Sequence, residues 1–141
     1  MIAGSVLCSS FKQETLLAIH DFMNDQFKLA LYTSAATIGP DTTIYVPDGE
    51  AVANGYTAGG QVLTAPQVLL DPGSRTAFAT FADPVWSGSQ ITARGALLYN
   101  HTKQQRAVAV LDFGSDQTSN LGVFHVLFPP PGVSTALIRF L

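Results

Sequence analysis

Gln26–Thr33 reads QFKLALYT, with Phe27, Leu29 and Leu31 alternating against Lys28, Ala30 and Tyr32. A period of two is that of a strand with one buried face. Before this stretch the apolar spacing is helical, and after it the spacing of two recurs to the end of the chain. The fold therefore turns on where that period changes.

Upstream, Ser10 and Gln13 have the spacing of a capping box. Phe11, Ala18, Ile19 and Phe22 follow on one side of a helix, with Leu16 and Leu17 widening the stripe. These signals predict one helix over 10–22, ending near His20 to Met23, with Asn24-Asp25 as turn chemistry. Downstream, strand patterns occupy Thr43–Val46, Gln61–Thr64, Gln67–Leu70, Thr76–Ala82, Gln90–Tyr99, Arg106–Phe113, Leu121–Phe128 and Thr135–Leu141. Between them stand Gly39-Pro40-Asp41, Pro47-Asp48-Gly49, Asn54-Gly55, Gly59-Gly60, Asp71-Pro72-Gly73, Gly114-Ser115-Asp116 and Pro129-Pro130-Pro131-Gly132, all helix-breaking. Short strands without helical crossovers imply antiparallel pairing. The expectation is an all-β fold, an antiparallel β-sandwich or jelly roll of about eight or nine strands with one short N-terminal α-helix. Phe78, Phe81, Phe113, Phe124 and Phe128 would fill the space between its sheets.

A chain of 141 residues suits a single domain over 1–141, with 1–9 as a possible N-terminal arm. Charged residues make up 12% of it, against roughly 25% in ordinary domains. Seven basic and ten acidic residues, net charge −3, are spread without blocks and offer no footprint for a phosphate backbone. A surface of Ser, Thr, Ala, Gly and Asn repels its neighbours weakly and suits permanent contact with them. Secreted monomers can share this composition. No apolar run approaches the roughly 18 residues of a membrane span. Met1–Leu7 is short, lacks a basic n-region and does not fit a signal peptide. These features predict a partner that is neither nucleic acid nor membrane, and synthesis in a cytoplasm.

Catalytic or metal chemistry finds little support. The single cysteine, Cys8, and the absence of Cys/His pairs at ligand spacing argue against a disulfide framework or structural zinc. His20 is explained by the end of a helix, where the dipole favours an imidazolium. His101 falls in a polar turn, and His125 shares one strand face with Val123 and Leu127. Ser115, His125 and Asp112 could be written as a triad, but no nucleophile elbow or fixed spacing supports it. Asn54–Gly60 is glycine-rich without the lysine or the strand-to-helix context of a phosphate loop. The expectation is no enzyme, no cofactor and no metal.

The segment from Gly39 to Gly60 reads as an extended arm or an irregular edge hairpin. Trp86 reads as a core anchor or an interface anchor. Ile2, Val6, Leu7, Tyr45, Tyr56 and Trp86 are the candidate assembly contacts, Met1–Leu7 being able to add as a strand to a neighbour.

The ordered motifs Ser10–Glu14, Leu16-Leu17, His20–Phe22, Phe27–Ala36, Gly55–Gly60, Thr92–Asn100, Ala107–Gly114 and Ala136–Arg139 together resemble a family of small accessory virion structural proteins. That family belongs to the head and tail gene region of tailed double-stranded DNA bacteriophages. The resemblance covers almost the whole chain; Pro129-Pro130-Pro131 is richer in proline than the family pattern. It implies a non-enzymatic virion protein made in the bacterial host cytoplasm, a homo-oligomer whose partners are the major capsid protein or tail and neck proteins. The leading expectation is a capsid decoration, or cement, protein. A neck, tail or fibre-base adaptor is the alternative, and a carbohydrate- or receptor-binding module using Trp86, Tyr45, Tyr56 and Tyr99 is a further one.

Overall fold

A computed structural model describes residues 1–2, 4–129, 132 and 136–140. Pro130 and Pro131 of the proline run, and Thr135 and Leu141 at the ends of the last expected strand, lie outside the described residues. The described chain is built of β1 (Val6–Leu7), α1 (Ser9–Leu16), β2 (Phe27–Tyr32), β3 (Gln61–Val62), β4 (Gln67–Asp71), β5 (Thr76–Thr80), β6 (Val85–Ser89), β7 (Thr92–Asn100), β8 (Arg106–Thr118), β9 (Gly122–His125) and β10 (Ile138–Phe140). Strands dominate and every pair of them is antiparallel. They form three separate sheets, β1-β8-β7-β2-β3, β10-β5-β4 and β6-β9, and none closes on itself.

The largest sheet carries the core. β7 and β8 contribute Ala96, Leu97, Leu98, Ala107, Val108, Ala109 and Val110, all buried. β2 lies beside β7 with Phe27 opposite Asn100 and Tyr32 opposite Gly95. The alternation in QFKLALYT predicts one buried face, yet Ala30 and Tyr32 are as fully buried as Leu29 and Leu31. The segment after β2 is the reason: Thr33 and Ala51 donate backbone N–H groups to Gly49 and Leu31 carbonyls, and the Tyr32 hydroxyl donates to Val46. The expected arm is thus laid back along β2. Its return to β3 needs Gly60, at φ +81, where an added Cβ would meet the Leu29 carbonyl oxygen at 1.8 Å. Only glycine fits such an approach.

The helix differs from expectation at both ends. It begins one residue earlier, with Cys8 as N-cap and no side-chain cap; the Ser10 hydroxyl is buried without a partner, so Ser10 and Gln13 form no capping box. It stops at Leu16 because Ala18 takes φ 58, outside the helical region. Its buried residues are Phe11 and Glu14, while Leu16 and Leu17 face solvent. Thr43–Val46 is not a strand; it supplies only the bridge from Ile44 to Arg106. Gln90–Tyr99 is strand only from Thr92, where β7 begins; Gln90 and Ile91 lie between β6 and β7. β8 runs on to Thr118, and four of its residues, 113–116, bulge opposite Arg94 alone.

Phe11, Phe22, Phe27 and Phe81 pack as one aromatic group, with Phe22 and Phe27 stacked at 4.6 Å. Of the strand phenylalanines expected to fill the core, Phe81 and Phe124 are buried, and Phe78, Phe113 and Phe128 are half-buried.

Candidate functional site

Two polar clusters are built around the buried carboxylates of Glu14 and Glu50. In the first, Glu14 of α1 accepts from His20 Nε2 at 2.8 Å and from the Arg106 guanidinium at 3.0 Å. His20 Nδ1 accepts from Asn100 Nδ2 at 3.0 Å, so the ring proton sits on Nε2. The same amide nitrogen donates to Asp25 at 2.8 Å, and Lys103 Nζ closes the chain by donating to Asp25 and to the Ile19 carbonyl. Burial works to raise the Asp25 carboxyl, but Asn100, the Asp21 N–H and Lys103 outweigh it and hold it below the ordinary range. Both ring nitrogens of His20 are engaged and its side chain is almost wholly enclosed. The arrangement fastens α1 and its tail to the turn between β7 and β8. General acid–base work needs a proton that substrate can reach, and this ring offers none.

The second cluster gathers all four tyrosines around Glu50. Tyr45 donates to one carboxylate oxygen at 2.6 Å; Tyr56 and the Gly59 N–H donate to the other, the latter at 2.8 Å. Tyr99 donates to the Gly59 carbonyl, and Tyr45 stacks on Tyr99 at 4.9 Å. Burial, with Glu50 adding to it, pushes Tyr99 up to about 12 and Tyr32, Tyr45 and Tyr56 above the ordinary phenol range. A buried carboxylate with three donors is a satisfied one. It serves as the internal peg on which the 33–60 segment hangs.

The remaining candidates are dispersed. Asp112 holds Arg94 at 3.1 Å and the Gly114 N–H, which keeps its carboxyl low. His125 faces Asp83 at 3.5 Å, and Ser115 accepts from Gln117. No hydrogen bond joins Ser115, His125 and Asp112. His101 is exposed. Burial, then Glu14, raises the Cys8 thiol to about 12, so it stays protonated and unreactive. No group of three or more metal-ligating side chains occurs among the described residues, and no helix among them is long and apolar enough to cross a membrane.

The six candidate assembly residues turn toward their own chain. Ile2 is buried and bridges to Ile38; Val6 and Leu7 pair with Val110 and Ala109 of β8. Tyr45 and Tyr56 are half-buried on Glu50, and Trp86 is 5% exposed, packed between Tyr56 and Phe124.

What the fold leaves open is apolar. β6 and β9 pair Val85 with His125 and Trp86 with Phe124, so the Trp86–Phe124 side faces the core and the other faces out. On that outer side Val123 is 61% and Leu127 73% exposed, beside Val85 and His125. Next to it a groove of about 630 Å³ runs between β9 and the distal half of β8, lined by Leu111, Phe113, Gln117, Val123 and Leu127 among others. β1 pairs with β8 at Ala109 and Val110, and its flanking residues Cys8 and Ser5 extend the cover to Val108 and Asp112. A second apolar stretch is β4, where Val68, Leu69 and Leu70 are exposed. The sequence carries one sign of the β9 surface, that Val123 and Leu127 on one side and Phe124 and Val126 on the other make both sides of the strand apolar.

No family model matches the chain, and neither a curated protein nor a solved structure matches it.

Proposed function

We propose that this chain is a non-enzymatic structural protein of a tailed-phage particle, a decoration protein that binds the outside of the capsid and stabilises the head. Its five-stranded and smaller sheets would stack as a sandwich, with the β6–β9 face outermost. The observation that carries the reading is that face: Val85, Val123 and Leu127 lie exposed around His125, next to a groove of mixed apolar and polar lining, on a chain with 12% charged residues. Exposed patches of this kind mark places where another protein sits. Fully covering a Val or Leu side chain contributes about 1.5–3 kcal/mol. Repeated over a lattice of capsid subunits, such modest contacts add up by avidity.

The neck, tail or fibre-base adaptor uses the same surface and differs in copy number. The glycan-binding reading draws less support, since Trp86 is enclosed and the hydroxyls of Tyr45, Tyr56 and Tyr99 are bonded within the chain.

The test is to add purified chain to heads assembled without it and to measure occupancy by reconstruction. Wild-type chain is expected at regular capsid positions in hundreds of copies, and the Val123→Lys/Leu127→Lys double variant is expected to leave them empty while melting like wild type. A dozen copies or fewer at one vertex would move the protein to the neck or tail. No density anywhere on the particle would end the virion reading.

A further inference from the structure

β4 presents an edge that the described residues do not cover. It pairs with β5 over five unbroken steps, from Gln67 opposite Thr80 to Asp71 opposite Thr76, and stands at the end of its sheet. No backbone hydrogen bond reaches Gln67–Asp71 from any other described segment. Val68 is 52%, Leu69 43% and Leu70 66% exposed. Soluble monomers guard such edges with lysines, bulges or inward charges. β4 has no bulge, and its one charged residue, Asp71, stands at its last position.

What the edge does have is a symmetric bracket. Pro66 and Pro72 flank it, and proline has no N–H to give a ladder. An added strand can therefore pair along Gln67–Asp71 only, and the midpoint of that stretch is Leu69. Laid antiparallel across a two-fold axis at Leu69, a second β4 sets Leu69 against Leu69, Val68 against Leu70, and the Gln67 amide against the Asp71 carboxylate. Every pairing is complementary. A slip by one residue sets Asp71 against Val68 or Pro66 and loses the amide. The pairing also closes on itself, so the exposed edge is used up in a dimer rather than extended into a fibre.

We propose that β4 pairs antiparallel with β4 of a second copy of this chain about a two-fold axis at Leu69, joining two three-stranded sheets into one of six strands. This goes beyond the virion reading and stands independently of it. Five residues a side make a small interface, below the usual range for stable complexes, so the dimer forms reversibly with concentration.

Sedimentation of the full chain from micromolar to near-millimolar concentration tests it. Wild type is expected to pass from monomer to dimer and no further. Leu69→Lys and Leu69→Glu each place like charges directly opposite one another and are expected to weaken self-association by roughly tenfold or more. An equal mixture of the two variants is expected to dimerise again, since Lys then faces Glu; recovery on mixing also shows that both variants are folded. A wild type that stays monomeric, a Leu69→Lys chain that dimerises like wild type, or a mixture that stays monomeric would each overturn the proposal. Dimers that never bind heads would remove the virion reading and leave the pairing; strictly monomeric chain that decorates heads would do the reverse.

Discussion

Asn100 Nδ2 donates to His20 Nδ1 at 3.0 Å across 80 positions of sequence. The two residues come from the end of β7 and from the tail of α1, and through them a helix too short to stand alone is fastened to the central sheet. Isolated helices of 8 residues are unstable in water, so α1 depends on such long-range ties and on the packing of Phe11.

Replacing Asn100 by Leu is therefore expected to destabilise the chain by about 2–4 kcal/mol. The change leaves His20 Nδ1 without its donor, takes one donor from Asp25, and strips the Lys103 N–H of its acceptor. Urea unfolding should show a lower midpoint, with helix signal lost first. An unchanged midpoint would mean that the cluster contributes nothing net.

Tyr45 and Tyr56 make the same contact with Glu50 but should not be equal. Tyr56 also accepts the Leu31 N–H at 2.9 Å, so Tyr56→Phe orphans a backbone donor of β2 as well as one carboxylate bond. We expect Tyr45→Phe to cost about 1 kcal/mol and Tyr56→Phe about 2–3 kcal/mol. Thermal or urea unfolding of the two single variants gives the order directly, and equal losses would contradict it.

Stability should fall at both extremes of pH, by different groups. Tyr32, Tyr45, Tyr56 and Tyr99 are raised in the folded chain, whereas unfolded tyrosine titrates near pH about 10. Their contribution is whole below pH about 10 and is lost as pH rises from there toward the folded values. Tyrosinate absorbance should accordingly rise together with loss of strand signal. In acid, Ser74 holds Asp71 low and the Gly114 N–H does the same for Asp112; Asp25 is also low despite its burial. Their contribution is whole above pH about 3.9 and is lost as pH falls below it. Tyrosines that titrate normally in the folded chain would contradict the alkaline half.

Gly60 and Gly114 both have positive φ, +81 and +82, yet alanine should affect them differently. At Gly60 the new Cβ runs into the Leu29 carbonyl, while at Gly114 nothing lies within 4 Å. Gly114→Ala is expected to cost only the left-handed backbone penalty, about 1–2 kcal/mol. Gly60→Ala should cost at least twice that or prevent folding, read from soluble yield and melting temperature.

The strand-rich fold was legible from Phe27 onward because a period of two survives whatever the strands pack against. Most expected strands recur with shifted ends, and Arg106–Phe113 simply continues to Thr118. The helix was harder to bound. Its sequence has no Gly or Pro to announce that Ala18 turns left-handed, and nothing local marks Glu14 as buried, because Arg106, which pairs with it, lies 92 positions away. Glu50 was missed for the same reason: nothing in one sequence tells which carboxylate four tyrosines will surround. Gly59-Gly60 fits a turn or a close backbone approach, and that approach is found at Gly60 against Leu29; it is the part of the Glu50 cluster legible in the sequence. The open surfaces of β4 and β9 depend on which strand ends a sheet, and alternation does not encode that.

The placement of Trp86 also turns the molecule into its own reporter. It is the sole tryptophan, its ring centre is 6.1 Å from that of Tyr56, and Tyr56 is bonded to the peg that secures the 33–60 segment. Light absorbed by Tyr56 will therefore be emitted by the indole whenever that segment is docked. Undocking would restore phenol emission without any added dye.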